Sequence, residues 1–195
     1  MDAWVWILIA VVAIVVIMIA AYVIAIQRRR KELRREFGPE YQRAVDRSGD
    51  VRGGESDLMA RRDRRSKLDI RPLRTEAEEN YRRTWEQIQA RFVDDPAGVL
   101  GQADSLIVAV MGERGYPMDD FDQRADDISV DHPDVVQHYR AGHAVSDKVG
   151  RGQDVSTEDL RKAFVHYRAL FGVLVAPETT ERDSETADQE RRATG

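Results

Sequence analysis

The chain has 195 residues, of which 33% are charged, a formal net charge of −5 and no cysteine. That length suits one soluble domain plus linkers rather than two domains, and without thiols there are no disulfides, thiol nucleophiles or thiolate metal sites. The net charge conceals an asymmetry: residues 27–74 hold 16 Lys/Arg against 9 Asp/Glu, a net of +7, whereas 75–195 hold 14 against 25, a net of −11. A distal region this acidic is a poor partner for nucleic acid, and none is expected.

Residues 3–26, the first segment, form a 24-residue run with no charge and one polar group, the Tyr22 hydroxyl. At about 1.5 Å per helical residue it is roughly 36 Å long, enough to cross a hydrocarbon core of about 30 Å with a modest tilt. Trp4 and Trp6 near one end and Tyr22 near the other suit the headgroup level. A cleaved leader would carry a basic start and a small-x-small exit; here the start is Met1-Asp2 and no Ala-x-Ala occurs in the run. Residues 1–26 are therefore expected to be a retained transmembrane anchor in contact with the bilayer. Arg28, Arg29, Arg30 and Lys31 follow at once. Under the positive-inside rule they place the N-terminus outside and the remainder in the cytoplasm of a cell with this protein in its inner membrane. These four side chains are also expected to contact anionic lipid headgroups.

Residues 27–74 read as a basic, semi-ordered juxtamembrane spacer. A charged helix is expected over 28–37, stopped by Gly38-Pro39. A short helix follows over 40–47, with Tyr41, Ala44 and Val45 on one face. Ser48-Gly49-Asp50 and Gly53-Gly54 read as breaks, and 55–67 as a helix with little apolar surface to bury. Its Arg61, Arg62, Arg64 and Arg65 admit two readings: a solvated face neutralised by nearby acids, or guanidinium contacts to lipid phosphates close to the bilayer. The spacer is expected to dock, if anywhere, at Ile70 to Leu73.

Residues 75–177 carry the clearest periodicity and predict a bundle of about five helices. Thr75 and Glu78 read as a capping box ahead of Tyr81, Trp85, Ile88 and Phe92. Asp95 and Pro96 open a second helix with Val99, Leu100, Ala103, Leu106, Ile107 and Val110 on its apolar side. Asp119 or Asp120 caps a short third helix, and Asp131-His132-Pro133-Asp134 starts a fourth that Gly150 and Gly152 close. The string Ser156-Thr157-Glu158-Asp159, with a hydroxyl cap and two early carboxylates, opens the fifth, whose stripe runs Leu160, Ala163, Phe164, Tyr167, Leu170, Phe171 and Leu174. Residues 178–195 have almost no apolar side chains and read as a disordered acidic tail. The fold class is all-α: one N-terminal transmembrane helix and a cytoplasmic bundle.

Six strings, Phe37-Gly-Pro-Glu-Tyr41, Leu68-Asp-Ile-Arg-Pro-Leu73, Arg91-Phe-Val-Asp-Asp-Pro96, Arg114-Gly-Tyr-Pro117, Asp127-Ile-Ser-Val-Asp-His-Pro133 and the run from Glu158 to Phe171, together resemble a group of uncharacterised bacterial proteins. That group, actinobacterial in type, pairs one N-terminal membrane segment with a small helical domain. The resemblance spans roughly residues 37–172. It implies an inner-membrane protein and brings no activity, cofactor or catalytic residue.

The chemistry-bearing residues cluster between Asp126 and His143: Asp126, Asp127, Asp131, His132, Asp134, His138 and His143. Imidazoles and carboxylates are the ligands a divalent metal needs. His138 and His143, five residues apart on one helix, diverge by about 140°. Asp134 and His138 have the chelating i, i+4 relation, but in the first turns of a helix capping or ion pairing explains them adequately. His166 reads as a boundary residue beside the apolar stripe. The pairs Asp94/Asp95, Asp119/Asp120 and Asp126/Asp127 fall where helices begin or turn, and no nucleophile elbow, phosphate loop or His-Glu-x-x-His is present. No cofactor and no catalytic residue is expected. The leading expectation is a membrane-tethered interaction module, an adaptor or a protein that sequesters a regulator, presenting an acidic helical surface to an unidentified cytoplasmic protein. The alternative is a metal-binding sensor or metal-dependent enzyme using the region from Asp126 to His143.

Overall fold

A computed structural model describes residues 3–176. Every regular element among them is a helix, in the order α1 (Ala3–Phe37), α2 (Pro39–Ser48), α3 (Val51–Ser66), α4 (Thr75–Ala90), α5 (Pro96–Arg114), α6 (Phe121–Asp131), α7 (Pro133–Gly150) and α8 (Thr157–Val175). The chain divides into two compact units, Met1–Ala60 and Arg61–Gly195, so that α3 contributes its first ten residues to one and its last six to the other. The division falls 14 residues earlier than the 74/75 boundary expected from periodicity. The tail at 178–195 lies outside the described residues.

In the first unit, helix α1 continues unbroken from the apolar run into the charged segment as far as Phe37. It is the one helix among the described residues long and apolar enough to cross a membrane. Between Val11 and Phe37 its most apolar 18-residue window has a mean hydropathy of 2.4, and none of that window is buried. Gly38, at φ 46°, turns the chain into α2, whose Pro39 occupies the first helical turn. Leu33 and Phe37 of α1 are buried, as are Tyr41 and Ala44 of α2. The Tyr41 hydroxyl donates to Glu55 Oε1 at 2.8 Å, Arg30 Nε lies 3.2 Å from the same oxygen, and the Arg34 guanidinium sits 4.8 Å over the Tyr41 ring.

The expected break at Gly53-Gly54 is instead the first turn of α3. Asp50 makes the difference: its Oδ1 accepts from Gly53 N–H at 2.9 Å, a helix-start bond, and its carbonyl accepts from Gly54 N–H at 3.1 Å. Gly54 is needed for closeness rather than flexibility, because a Cβ there would lie 2.7 Å from the backbone of Val45. Residues 39–66 are thus largely helical: α2 lies close to the expected 40–47, and α3 begins at Val51, ahead of the expected 55–67.

The second unit is built around α8, which packs against α4, α5 and α7, while α6 packs on α7. Trp85 of α4 stacks on Phe164 (5.0 Å between centroids) and on Phe171 (4.6 Å), so the broad stripe of α8 receives α4 through aromatic faces. On the other side α7 comes close at Gly142, where a Cβ would be 3.2 Å from the Tyr167 ring. Asp95, Asp120 and Ser156 cap α5, α6 and α8 through side-chain bonds from Gly98, Gln123 and Asp159 N–H. Thr75, however, is the first helical residue of α4 and not its cap; the cap position is Arg74, which makes no side-chain cap bond. Glu78 pairs with Arg82 at 2.9 Å instead of closing a capping box. The connector 67–74 is held to the core at Ile70 and Leu73, and Arg71 N–H donates to the Arg114 carbonyl at 2.8 Å.

Candidate functional site

Three polar constellations lie in the second unit. The first is a charged seam. Arg61, Arg64 and Arg65 share one face of the last turns of α3, at the i, i+3, i+4 spacing that aligns side chains, and they meet the carboxylates of α6. Arg61 is fully buried, and its Nη1 lies 2.9 Å from Asp126 Oδ1. Arg140 of α7 reaches the same oxygen at 2.9 Å. Arg64 Nε lies 3.5 Å from Asp127 Oδ1, which also accepts from Gln123 at 2.8 Å. Arg65 Nε lies 2.5 Å from Asp131 Oδ2, which takes the Tyr116 hydroxyl at 2.6 Å. Burial pushes the Asp127 carboxyl above its usual range despite Gln123 and Arg64. Burial, with Asp131 alongside, likewise pushes the Tyr116 hydroxyl far up, which keeps it a hydrogen-bond donor.

The seam reassigns several residues that stand out in the sequence. Arg61, expected either as a lipid-headgroup contact or as part of a solvated face, is enclosed, and Arg64 and Arg65 are directed at α6 carboxylates; neutralisation by acids describes these three, but a solvated face does not describe Arg61. Arg62 is exposed. Of the basic group that follows the apolar run of α1, Arg28 and Lys31 are exposed, Arg29 contacts the Met59 sulfur, and Arg30 pairs with Glu55. Asp126, Asp127 and Asp131, candidates for metal ligands by residue type, face guanidinium groups, and no set of three or more His, Asp or Glu side chains among the described residues could hold a metal ion. Asp134 is exposed at the start of α7.

The second constellation has no local signature in the sequence. Asp104 of α5, half-buried, accepts the Tyr167 hydroxyl at 2.7 Å and lies 3.5 Å from His143 Nδ1. The His143 ring stacks on Phe121 with 3.6 Å between centroids and 8° between planes. Burial raises the Asp104 carboxyl, but hydrogen bonds from His143 and Tyr167 outweigh it and hold the group below its usual value. The one available hint is a carboxylate immediately beside Ala103, at the edge of the apolar stripe of α5.

The third joins His138 to a residue 28 positions away: Nδ1 of His138 and Nδ1 of His166 are 2.8 Å apart, with ring centroids at 5.0 Å and planes inclined by 29°. Both rings are half-buried. Burial and then the neighbouring His138 lower the proton affinity of His166. The spacing of His138 and His143 gives no hint of this pair, because its second member sits on α8.

Apart from these clusters, a groove of about 520 Å³ runs between α4 and α5. Thr84, Gln87, Ile88 and Arg91 form one wall, and Gly98, Gly101, Ser105 and Ala109 the other. A Cβ on Gly101 would meet no atom within 4 Å. Arg91 Nη2 donates to Gln102 Oε1 at 2.6 Å across one end. The chain matches no family model, no curated protein and no solved structure.

Proposed function

We propose that the protein is a single-pass, membrane-tethered helical interaction module whose second unit works on the cytoplasmic side of a bacterial inner membrane. The observation that supports this most is helix α1: its 18-residue window of mean hydropathy 2.4 is wholly unburied. A surface that apolar is costly in water and is satisfied by lipid. Arg28 and Lys31, exposed on the same helix beyond the apolar run, suit anionic headgroups at the inner leaflet. Tethering keeps the second unit concentrated near the bilayer, which lets a modest contact with a partner suffice.

The contact surface in this reading is the α4–α5 groove, and the partner is a protein helix with basic flanks. The wall of Gly98, Gly101, Ser105 and Ala109 permits close backbone approach, and the net charge of −11 over residues 75–195 favours a basic partner at long range. Two experiments test the two halves. A cytoplasm-active reporter placed after Phe37 should be active and a periplasm-active one silent; the reverse overturns the orientation. Cross-linking of the full chain in native membranes should recover a protein that Gly101→Leu loses and Gly172→Leu retains. Both glycines are exposed and neither has an atom within 4 Å of an added Cβ, and melting of each variant at the parent midpoint checks that the fold is kept. Equal recovery by the two would remove the groove from the proposal.

A further inference from the structure

We propose that His138 and His166 together form a two-nitrogen site for a late first-row divalent cation, Cu²⁺ most tightly, stapling α7 to α8. The site forms within the second unit whether or not α1 lies in a membrane. Two imidazole nitrogens from different helices, both half-buried, already face each other at 2.8 Å. With both rings neutral, a hydrogen bond at this distance needs one ring in the Nδ1–H tautomer and the other with a free Nδ1 lone pair. Moving that proton to Nε2 of the donor ring frees both Nδ1 lone pairs without changing the charge of either imidazole. Two neutral ligands then converge without any histidine having to be deprotonated first.

Binding the ion requires both rings to rotate. With the ring centroids kept 5.0 Å apart, tilting each ring by about 40° brings both nitrogens to about 2.05 Å from a common point, at an angle of about 100°. The two nitrogens then stand about 3.2 Å apart, and water completes the coordination. Two cis nitrogen donors with open remaining positions suit tetragonal Cu²⁺ or Ni²⁺ better than a closed tetrahedral Zn²⁺ site, and the Irving–Williams order places Cu²⁺ first. Asp134, one helical turn before His138 and exposed, is the nearest candidate on α7 for an outer contact through water. His143, by contrast, lies 3.5 Å from Asp104 and stacks on Phe121, which makes it a suitable control.

The test uses untagged full-length protein in detergent micelles, stripped with EDTA and titrated with Cu²⁺. One ion per chain is expected, with an electron paramagnetic resonance spectrum showing two coordinated nitrogens and a thermal midpoint that rises with added Cu²⁺. H138Q and H166Q should each weaken binding at least tenfold and abolish the midpoint rise, and H143Q should do neither. Unchanged affinity in either H138Q or H166Q overturns the shared site. The resonance spectrum is read on the unaltered protein, so one nitrogen or an all-oxygen spectrum overturns the proposal even if a variant fails to fold.

Discussion

Asp126→Asn is the sharpest test of the charged seam. The carboxylate oxygen of Asp126 serves two guanidinium groups, Arg61 and Arg140, each at 2.9 Å, and the three side chains are 11%, 0% and 8% exposed respectively. The amide keeps the volume and one acceptor but removes the charge that the two enclosed guanidinium groups share. Removing one partner of a buried ion pair typically costs about 3–5 kcal/mol, since desolvation of the survivor is no longer offset. The described part of the second unit spans residues 61–176, and at that size 1 kcal/mol moves a thermal midpoint by about 4 °C, so the expected drop is about 12–20 °C. Trp85 reports the transition by fluorescence in a chain whose Trp4 and Trp6 are replaced by Phe, because its stacking on Phe164 and Phe171 is lost on unfolding. Arg61→Met leaves Asp126 with Arg140 and should cost less. The double variant should therefore be more stable than the sum of the single losses predicts. A midpoint for Asp126→Asn within about 3 °C of the parent, or strict additivity in the double variant, would refute the view that the seam is a neutralised buried network.

Further expectations follow from the same contacts. Gly172→Ala, on an exposed turn of α8 with open space around the added methyl, should stabilise the second unit by about 0.5–1 kcal/mol in denaturant melts; a loss would mean the site is more crowded than it looks. Gly54→Ala should instead destabilise the first unit, read by hydrogen exchange of α2 and α3, because its methyl would sit 2.7 Å from Val45. Asp104 is held below its usual value in the folded state, so its contribution is fully present above about pH 4 and is lost as the pH falls through the folded value. Asp104→Asn should therefore flatten the acid side of the stability profile below about pH 4, and an unchanged acid slope would count against the Tyr167 and His143 bonds. Trp85→Ala removes both aromatic stacks between α4 and α8 and should cost about 3–5 kcal/mol.

The bundle was legible where apolar period and cap chemistry agreed. Asp95-Pro96 and Ser156 opened helices because a side-chain acceptor and an early proline or carboxylate all favour the same terminus. Helices over 40–47 and 55–67 were legible, but the continuity of α3 through Gly53-Gly54 was not, for a physical reason: the order of this stretch comes from close approach and polar pairing rather than from an apolar stripe. Gly54 fits against Val45, Asp50 caps the turn that two adjacent glycines suggested was a break, and Tyr41 is fixed by Glu55 and Arg34. Thr75 failed as a cap because the chain enters α4 one residue earlier, through Arg74. Of the three polar constellations, none is local in sequence: Arg61 meets Asp126, Asp104 meets Tyr167, and His138 meets His166. Spacing arguments work within one helix and are blind to such partners.

The arginine cluster shows how far a charge run alone can mislead. In isolation, Arg61, Arg62, Arg64 and Arg65 beside a membrane anchor suit lipid phosphates, and the aspartates of α6 suit a cation. Each set has the chemistry to bind something outside the protein. Opposed within one unit, they answer each other: Asp126 to Arg61 and Arg140, Asp127 to Arg64, Asp131 to Arg65. The basic character of residues 61–67 and the acidic character of α6 are then largely internal. Exposed cations of the two basic runs include Arg28 and Lys31 on α1 and Arg62 on α3. In the proposed membrane-tethered reading, headgroup contact would therefore rest on the end of α1 more than on α3. Replacing Arg28 and Lys31 together by Gln should weaken association with anionic lipid in nanodisc competition more than replacing Arg64 and Arg65, whose loss should register chiefly as instability of the second unit.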